Sequence, residues 1–195
     1  MIPSTLKYFI AETVKKYLTN YRLYEENIET NKTDDFLIDD DVLIKYIGND
    51  SYVTIPTKIK KISFEAFFGN MSLKSVIIPD TVKEIGDSSF SICFNLENVE
   101  MPNTIRYIGS HAFSQCTRLN QINISNTLTS INAYAFYGCK NLKSIEIPNT
   151  VKNIKYGIFL NCDNLENIIL PEKFKDIDIL KYMGFNKKQI SKILK

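Results

Sequence analysis

The stretch Val76–Pro102, VIIPDTVKEIGDSSFSICFNLENVEMP, comes back to its own pattern after 23 residues, and that step governs most of the chain. Sliding the sequence by 23 brings Pro56, Pro79, Pro102, Pro148 and Pro171 into one column, with Ser125 where the remaining proline would fall. Ile62, Ile85, Ile108, Ile131, Ile154 and Ile177 form a second column, and Phe67, Phe90, Phe113, Phe136 and Phe159 a third. Leu73, Leu96, Leu119, Leu142 and Leu165 form a fourth. Several columns in phase over about 120 residues mark a stacked array in which each unit buries its apolar face only against its neighbours.

Before each proline the chain reads as in LKSVIIP, LENVEMP and LKSIEIP. This is the period-two alternation of a short half-buried strand with Leu, Val and Ile inward. Proline has no N–H for a ladder and ends the strand. One such strand per coil, paired in parallel with its equivalents at roughly 4.8 Å, predicts a long parallel sheet. The remainder of the coil, as in DTVKEIGDSSFSICFN, is too short in apolar stripe for a helix. It reads as extended pieces and turns, with one helical turn near Ala66-Phe67, Ala112-Phe113 and Ala135-Phe136. The phenylalanines should stack as an aromatic column in the core.

These units resemble the BspA-like leucine-rich repeats, whose pattern couples I-P, V-x-x-I, A-F, C and L at this spacing. The segment VLIKYIGNDSYVTIP is similar to the hairpin that opens such arrays. The resemblance covers about residues 42–177, and the departures are Ser125 for proline, Asn70 for cysteine and Ile158 for alanine. It implies a right-handed leucine-rich-repeat solenoid of the α/β horseshoe type, β-dominated, with about five full coils. It also implies recognition proteins and surface adhesins with diverse partners.

The array, residues 42–177, is expected between two caps. Residues 4–24 set Leu6, Phe9, Ile10, Val14, Tyr17, Leu18 and Tyr21 on one helical face behind Ser4, and Asp34, Asp35 and Asp39 to Asp41 give an acidic linker up to residue 41. Residues 174–195 read as helical and 178–195 as the C-terminal cap, broken at Gly184, with Ile177, Leu180, Met183, Phe185, Ile190, Ile193 and Leu194 available to close the core. MIPSTLKYFIAETVKK is not a secretory signal, which points to the cytoplasm, whereas the family resemblance points to the cell surface. No apolar run is long enough for a membrane span. A net charge of +2 gives no global field to draw nucleic acid, so none is expected as a partner.

Chemistry is sparse. Cys93, Cys116, Cys139 and Cys162 fall once per coil, which suits small buried packing groups, although neighbouring rungs lie within disulfide reach. Thiols so spaced, without a histidine set, do not make a zinc site. His111 shares its column with Glu65, Ser88, Tyr134 and Gly157, as a tolerant exposed position would. No phosphate loop, dinucleotide fingerprint or nucleophile with its base is present, so neither cofactor nor catalysis is expected. The best enzymatic alternative pairs Glu100 with Glu146, two coils apart, as glycan-processing carboxylates. The favoured reading is a binding scaffold for protein, or else glycan, using the outward strand residues Ser75, Asn98, Glu100, Gln121, Asn123, Ser144, Glu146 and Asn167. A structural spacer joined through its ends is the other alternative.

Overall fold

The structure, a computed structural model, describes residues 31–33 and 35–195. The chain divides into two units, Met1–Asn31 and Lys32–Lys195, and the fold is that of the second. The helix expected over residues 4–24 lies outside the described residues.

The chain enters through β1 (Asn31–Thr33), β2 (Phe36–Asp39) and β3 (Val42–Tyr46). The coils follow as β4 (Tyr52–Thr54) and β5 (Lys61–Ile62), β6 (Ser75–Ile77) and β7 (Glu84–Ile85), then β8 (Asn98–Glu100) and β9 (Tyr107–Ile108). One coil supplies only β10 (Ser130–Ile131); the next supplies β11 (Ser144–Glu146) and β12 (Asn153–Ile154), and the last β13 (Asn167–Ile169). The opening hairpin is antiparallel and pairs Phe36 with Tyr46 across the turn at Asp40 and Asp41. Part of the stretch expected as an acidic linker is therefore a strand.

The coils carry strands on two walls rather than the one expected, although the coil with Ser125 lacks the first and the last coil lacks the second. The first wall carries the strand before the proline, but as two sheets, β4-β6-β8 and β11-β13, separated by one coil. The second wall is the continuous one: β3, β5, β7, β9, β10 and β12 stack in parallel and bring Ile62, Ile85, Ile108, Ile131 and Ile154 into register. Strands of two residues leave no alternation to read, which is why this wall was legible only as extended pieces. At the corner between the walls, the proline carbonyl accepts from the amide three residues on, at 3.0 Å for Pro56 and 3.1 Å for Pro79 and Pro148.

The third wall has no helical turn. It holds two left-handed residues per coil, four apart: Glu65, Ser88, His111, Tyr134 and Gly157 in one column, and Gly69, Ile92, Gln115, Gly138 and Asn161 in the other. A left-handed residue aims its amide at the next coil. His111 N–H reaches Ala133 C=O at 2.9 Å and Gln115 N–H reaches Tyr137 C=O at 2.7 Å, with Phe113 N–H donating to Ala135 C=O at 2.8 Å between them. The His111 column is therefore defined by backbone conformation, not by exposure: Glu65 is buried and His111 half-buried. Glycine takes this conformation without steric cost, which accounts for Gly69, Gly138 and Gly157.

Inside the three walls the phenylalanines stack as expected. Ring centroids run 4.8 Å from Phe67 to Phe90, 5.3 Å to Phe113, 5.5 Å to Phe136 and 5.7 Å to Phe159. Tyr46 from the hairpin and Phe185 from the far end continue the stack at 5.2 Å each. The cysteines are free and buried, and each thiol donates to the phenylalanine carbonyl of the preceding coil, Cys93 to Phe67 and Cys162 to Phe136 at 3.1 Å, Cys116 to Phe90 and Cys139 to Phe113 at 3.2 Å. Lys45 anchors the first coil by donating to Glu65 C=O at 2.9 Å; burial pulls its pKa down to about 8, against the nearby Glu65 carboxylate.

At the C-terminal end, α1 (Ile177–Met183) starts on the Asp176 cap and stops at Gly184 with φ 96°, and α2 (Lys187–Ile193) starts on an Asn186–Gln189 capping box. Gln189 is itself buried and donates to Cys162 and Leu165 carbonyls at 2.9 and 3.1 Å, closing main-chain acceptors that no further coil meets. Leu180, Met183, Phe185 and Ile190 cover the core, whereas Ile177 and Leu194 are exposed instead of joining it.

Two outcomes follow. Phe113→Ala removes the middle ring of the stack and should cost about 3–5 kcal/mol, read as a lower urea midpoint. Burial raises the Cys93 and Cys162 pKa values from 9.0 to about 12, so their contribution is complete below pH 9 and is lost as pH climbs toward 12. Between pH 9 and 11 the parent should therefore lose stability more steeply than a Cys93→Ala/Cys162→Ala variant.

Candidate functional site

The first wall is where the period fails. In regular coils the amide just past the strand donates to the strand end of the following coil: Ile55 to Ile77, Ile78 to Glu100 and Ile147 to Ile169, at 3.0, 3.0 and 2.9 Å. Among the described residues no such bond runs from Met101 to Asn123 or from Ile124 to Glu146, and Gln121 keeps only an isolated bridge to Ser144. The failure lies in the coil that has Ser125 for proline. Ser125 is buried and still opens the corner turn, its carbonyl accepting from Leu128 N–H at 3.0 Å, with its hydroxyl 2.9 Å from that of Thr127.

A groove of about 430 Å³ lies over this break. Asn123, Ser144, Glu146 and Asn167 line it from the strand positions, Asn103 and Asn126 from the turns past the corner, and Ile124 and Ile169 add apolar side chains. Glu146, Asn123 and Asn167 are exposed, Ser144 half-buried, and Ile169 is 59% exposed, so the groove offers amides, one carboxylate and one accessible apolar side chain.

Of the eight residues expected on this face, four meet in the groove and four do not. Ser75 and Asn98 belong to the regular sheet, where Asn98 Nδ2 donates to Ser75 Oγ at 3.3 Å. Gln121 holds the lone bridge, and Glu100 ends β8 on the far side of the break from Glu146, which leaves the two carboxylates outside one shared site. Asn103 and Asn126 went unread because they sit one residue past the corner, outside the strand alternation; the signal for them was the missing proline at 125. His111 lies outside the groove; its ring stacks on Tyr134 at 4.9 Å, and burial lowers its pKa, with Asp87 opposing.

With this geometry in place, the family model of the BspA type leucine rich repeat region matches residues 44–166 and 119–193, in six copies. The chain belongs to that family. Among solved structures, it is 30% identical to a leucine rich cell surface protein of Faecalibacterium prausnitzii A2-165, with a TM-score of 0.64, over 75% of this chain and 38% of that one. It is 28% identical to the T. pallidum leucine rich repeat protein, with a TM-score of 0.61, over 67% of this chain and 75% of that one. A leucine-rich repeat protein of Bacteroides ovatus, 23% identical over 71% of this chain and 40% of that one with a TM-score of 0.54, shares the fold. The chain thus spans about two fifths of two of these proteins and three quarters of the other. No curated protein matches it. Leucine-rich-repeat arrays are in general protein-interaction scaffolds. Among the described residues no helix is long and apolar enough to cross a membrane.

Because Asn123 and Glu146 are exposed and make no bond that builds the ladder, Asn123→Ala, Ser144→Ala and Glu146→Ala should each shift stability by less than about 0.5 kcal/mol. Urea denaturation of the single variants and of the triple variant checks this.

Proposed function

We propose that the chain is a non-enzymatic recognition module that holds an extended segment of a partner protein in the groove over the broken coil. The observation that carries this reading is the interruption itself. Where the ladder closes, main-chain groups satisfy one another; here the Ile124 amide and the Asn123 and Glu146 carbonyls lack that partner on a face lined with amide side chains. An extended peptide supplies complementary main-chain donors and acceptors, and side-chain pockets select among peptides. Glu146 favours a partner residue with a positive charge, and Ile169 favours an apolar one. The cell surface is the setting this reading favours, by likeness to the Faecalibacterium protein. Against a spacer joined end to end, the C-terminal core is already covered by Leu180, Met183 and Phe185.

Selection of displayed random dodecapeptides on the folded chain tests the proposal. Enriched peptides should bind the parent and lose at least tenfold in affinity to the Asn123→Ala/Ser144→Ala/Glu146→Ala variant. Equal binding to both would place recognition elsewhere, and selection that enriches nothing would remove the peptide reading.

A further inference from the structure

A second feature of the array lies away from the groove, at the corner where the second wall begins. The column one residue before those strands reads Lys60, Lys83, Arg106, Thr129 and Lys152. All five residues are exposed. Their main chain is one continuous ladder: Lys83 N–H donates to Lys60 C=O at 2.9 Å, Arg106 to Lys83 at 2.8 Å, Thr129 to Arg106 at 2.9 Å and Lys152 to Thr129 at 2.9 Å. The cations are therefore held in single file at the strand spacing, and four steps of roughly 4.8 Å place Lys60 and Lys152 about 19 Å apart.

Like charges fixed this close repel one another, and nearby carboxylates relieve only part of it. Asp41 pairs with Lys60 at 2.9 Å, and Glu84 is taken by Lys61 at 3.0 Å. Lys83, Arg106 and Lys152 form no ion pair among the described residues. We propose that this column is a binding site for a linear sulfated polysaccharide lying along the array axis, with Lys83, Arg106 and Lys152 on its sulfate groups.

The observations favour a sulfated polysaccharide over a nucleic acid. Single strands are held by a basic groove with repeated aromatic platforms for the bases, and duplexes by an element that enters a groove. This corner is a single file of exposed residues on one main-chain ladder, and Tyr107 is the aromatic residue of the adjoining column, where its coil-to-coil equivalents are Lys61, Glu84, Ser130 and Asn153. The gap in the cation row is filled by a hydroxyl, Thr129, with Ser130 and Asn153 beside it. A row of cations interrupted by a single neutral residue, with hydrogen-bonding side chains beside it, suits a chain that carries sulfates and hydroxyls together.

The test uses a heparin dodecasaccharide as probe, with desulfated heparin and a single-stranded DNA 12-mer as comparison arms, against three forms of the chain. These are the parent, Lys83→Gln/Arg106→Gln/Lys152→Gln, and a control, Lys187→Gln/Lys188→Gln/Lys192→Gln, that removes the same charge from α2. Thermal denaturation establishes that all three fold. The column variant should bind heparin at least tenfold more weakly, and its affinity should fall less steeply with salt, by roughly two to three units in the log–log slope, about one per charge removed. The control should stay within twofold of the parent, and desulfated heparin should not bind. Equal losses in column variant and control would show bulk charge and overturn the site. No heparin binding by the parent would overturn it too, and DNA bound as tightly as heparin would overturn the ligand class.

Discussion

The constraint on which the structure depends is that each coil stacks on the next at one common rise, hydrogen-bonded along the second and third walls and along the first wherever its ladder closes. The second wall meets it with short parallel strands, the first with the strands before the proline, and the third with paired left-handed residues whose amides point down the stack. A single rise makes every position a column. It brings the phenylalanine rings to 4.8–5.7 Å and places each thiol against the carbonyl of the phenylalanine one coil back. Polar groups that would otherwise be buried unpaired are satisfied by translation, so one solution found for a coil serves them all.

The same constraint explains how much was legible in the sequence. Columns that need one kind of side chain announce themselves: proline at the corner, Ile, Phe and Leu in the core, cysteine where a small donor fits. The left-handed column does not, because Glu65, Ser88, His111, Tyr134 and Gly157 share a backbone angle and no chemistry. Variation there looked like exposure when it was tolerance of side chain around a fixed φ. The second wall was hidden for another reason, since a two-residue strand supports no alternation.

The face of the array shows the converse. Outward strand residues could be read from the alternation, and Asn123, Ser144, Glu146 and Asn167 do gather in the groove. What no period foretold is that the ladder opens there, for a repeat describes what coils have in common and a site is made where one of them differs. Ser125 was the visible departure; the lost bonds at Met101 and Ile124, and the asparagines past the corner, are its surroundings.

A closed coil-to-coil ladder is thus broken at one place on the first wall. Native-state amide exchange tests it most directly, because protection reports whether an amide has a partner in the fold. Slow exchange is expected at Ile55, Ile78 and Ile147 and fast exchange at Met101 and Ile124, within one stably folded array. Equal protection at all five amides would mean that the ladder is continuous and that the groove has no main-chain groups to offer.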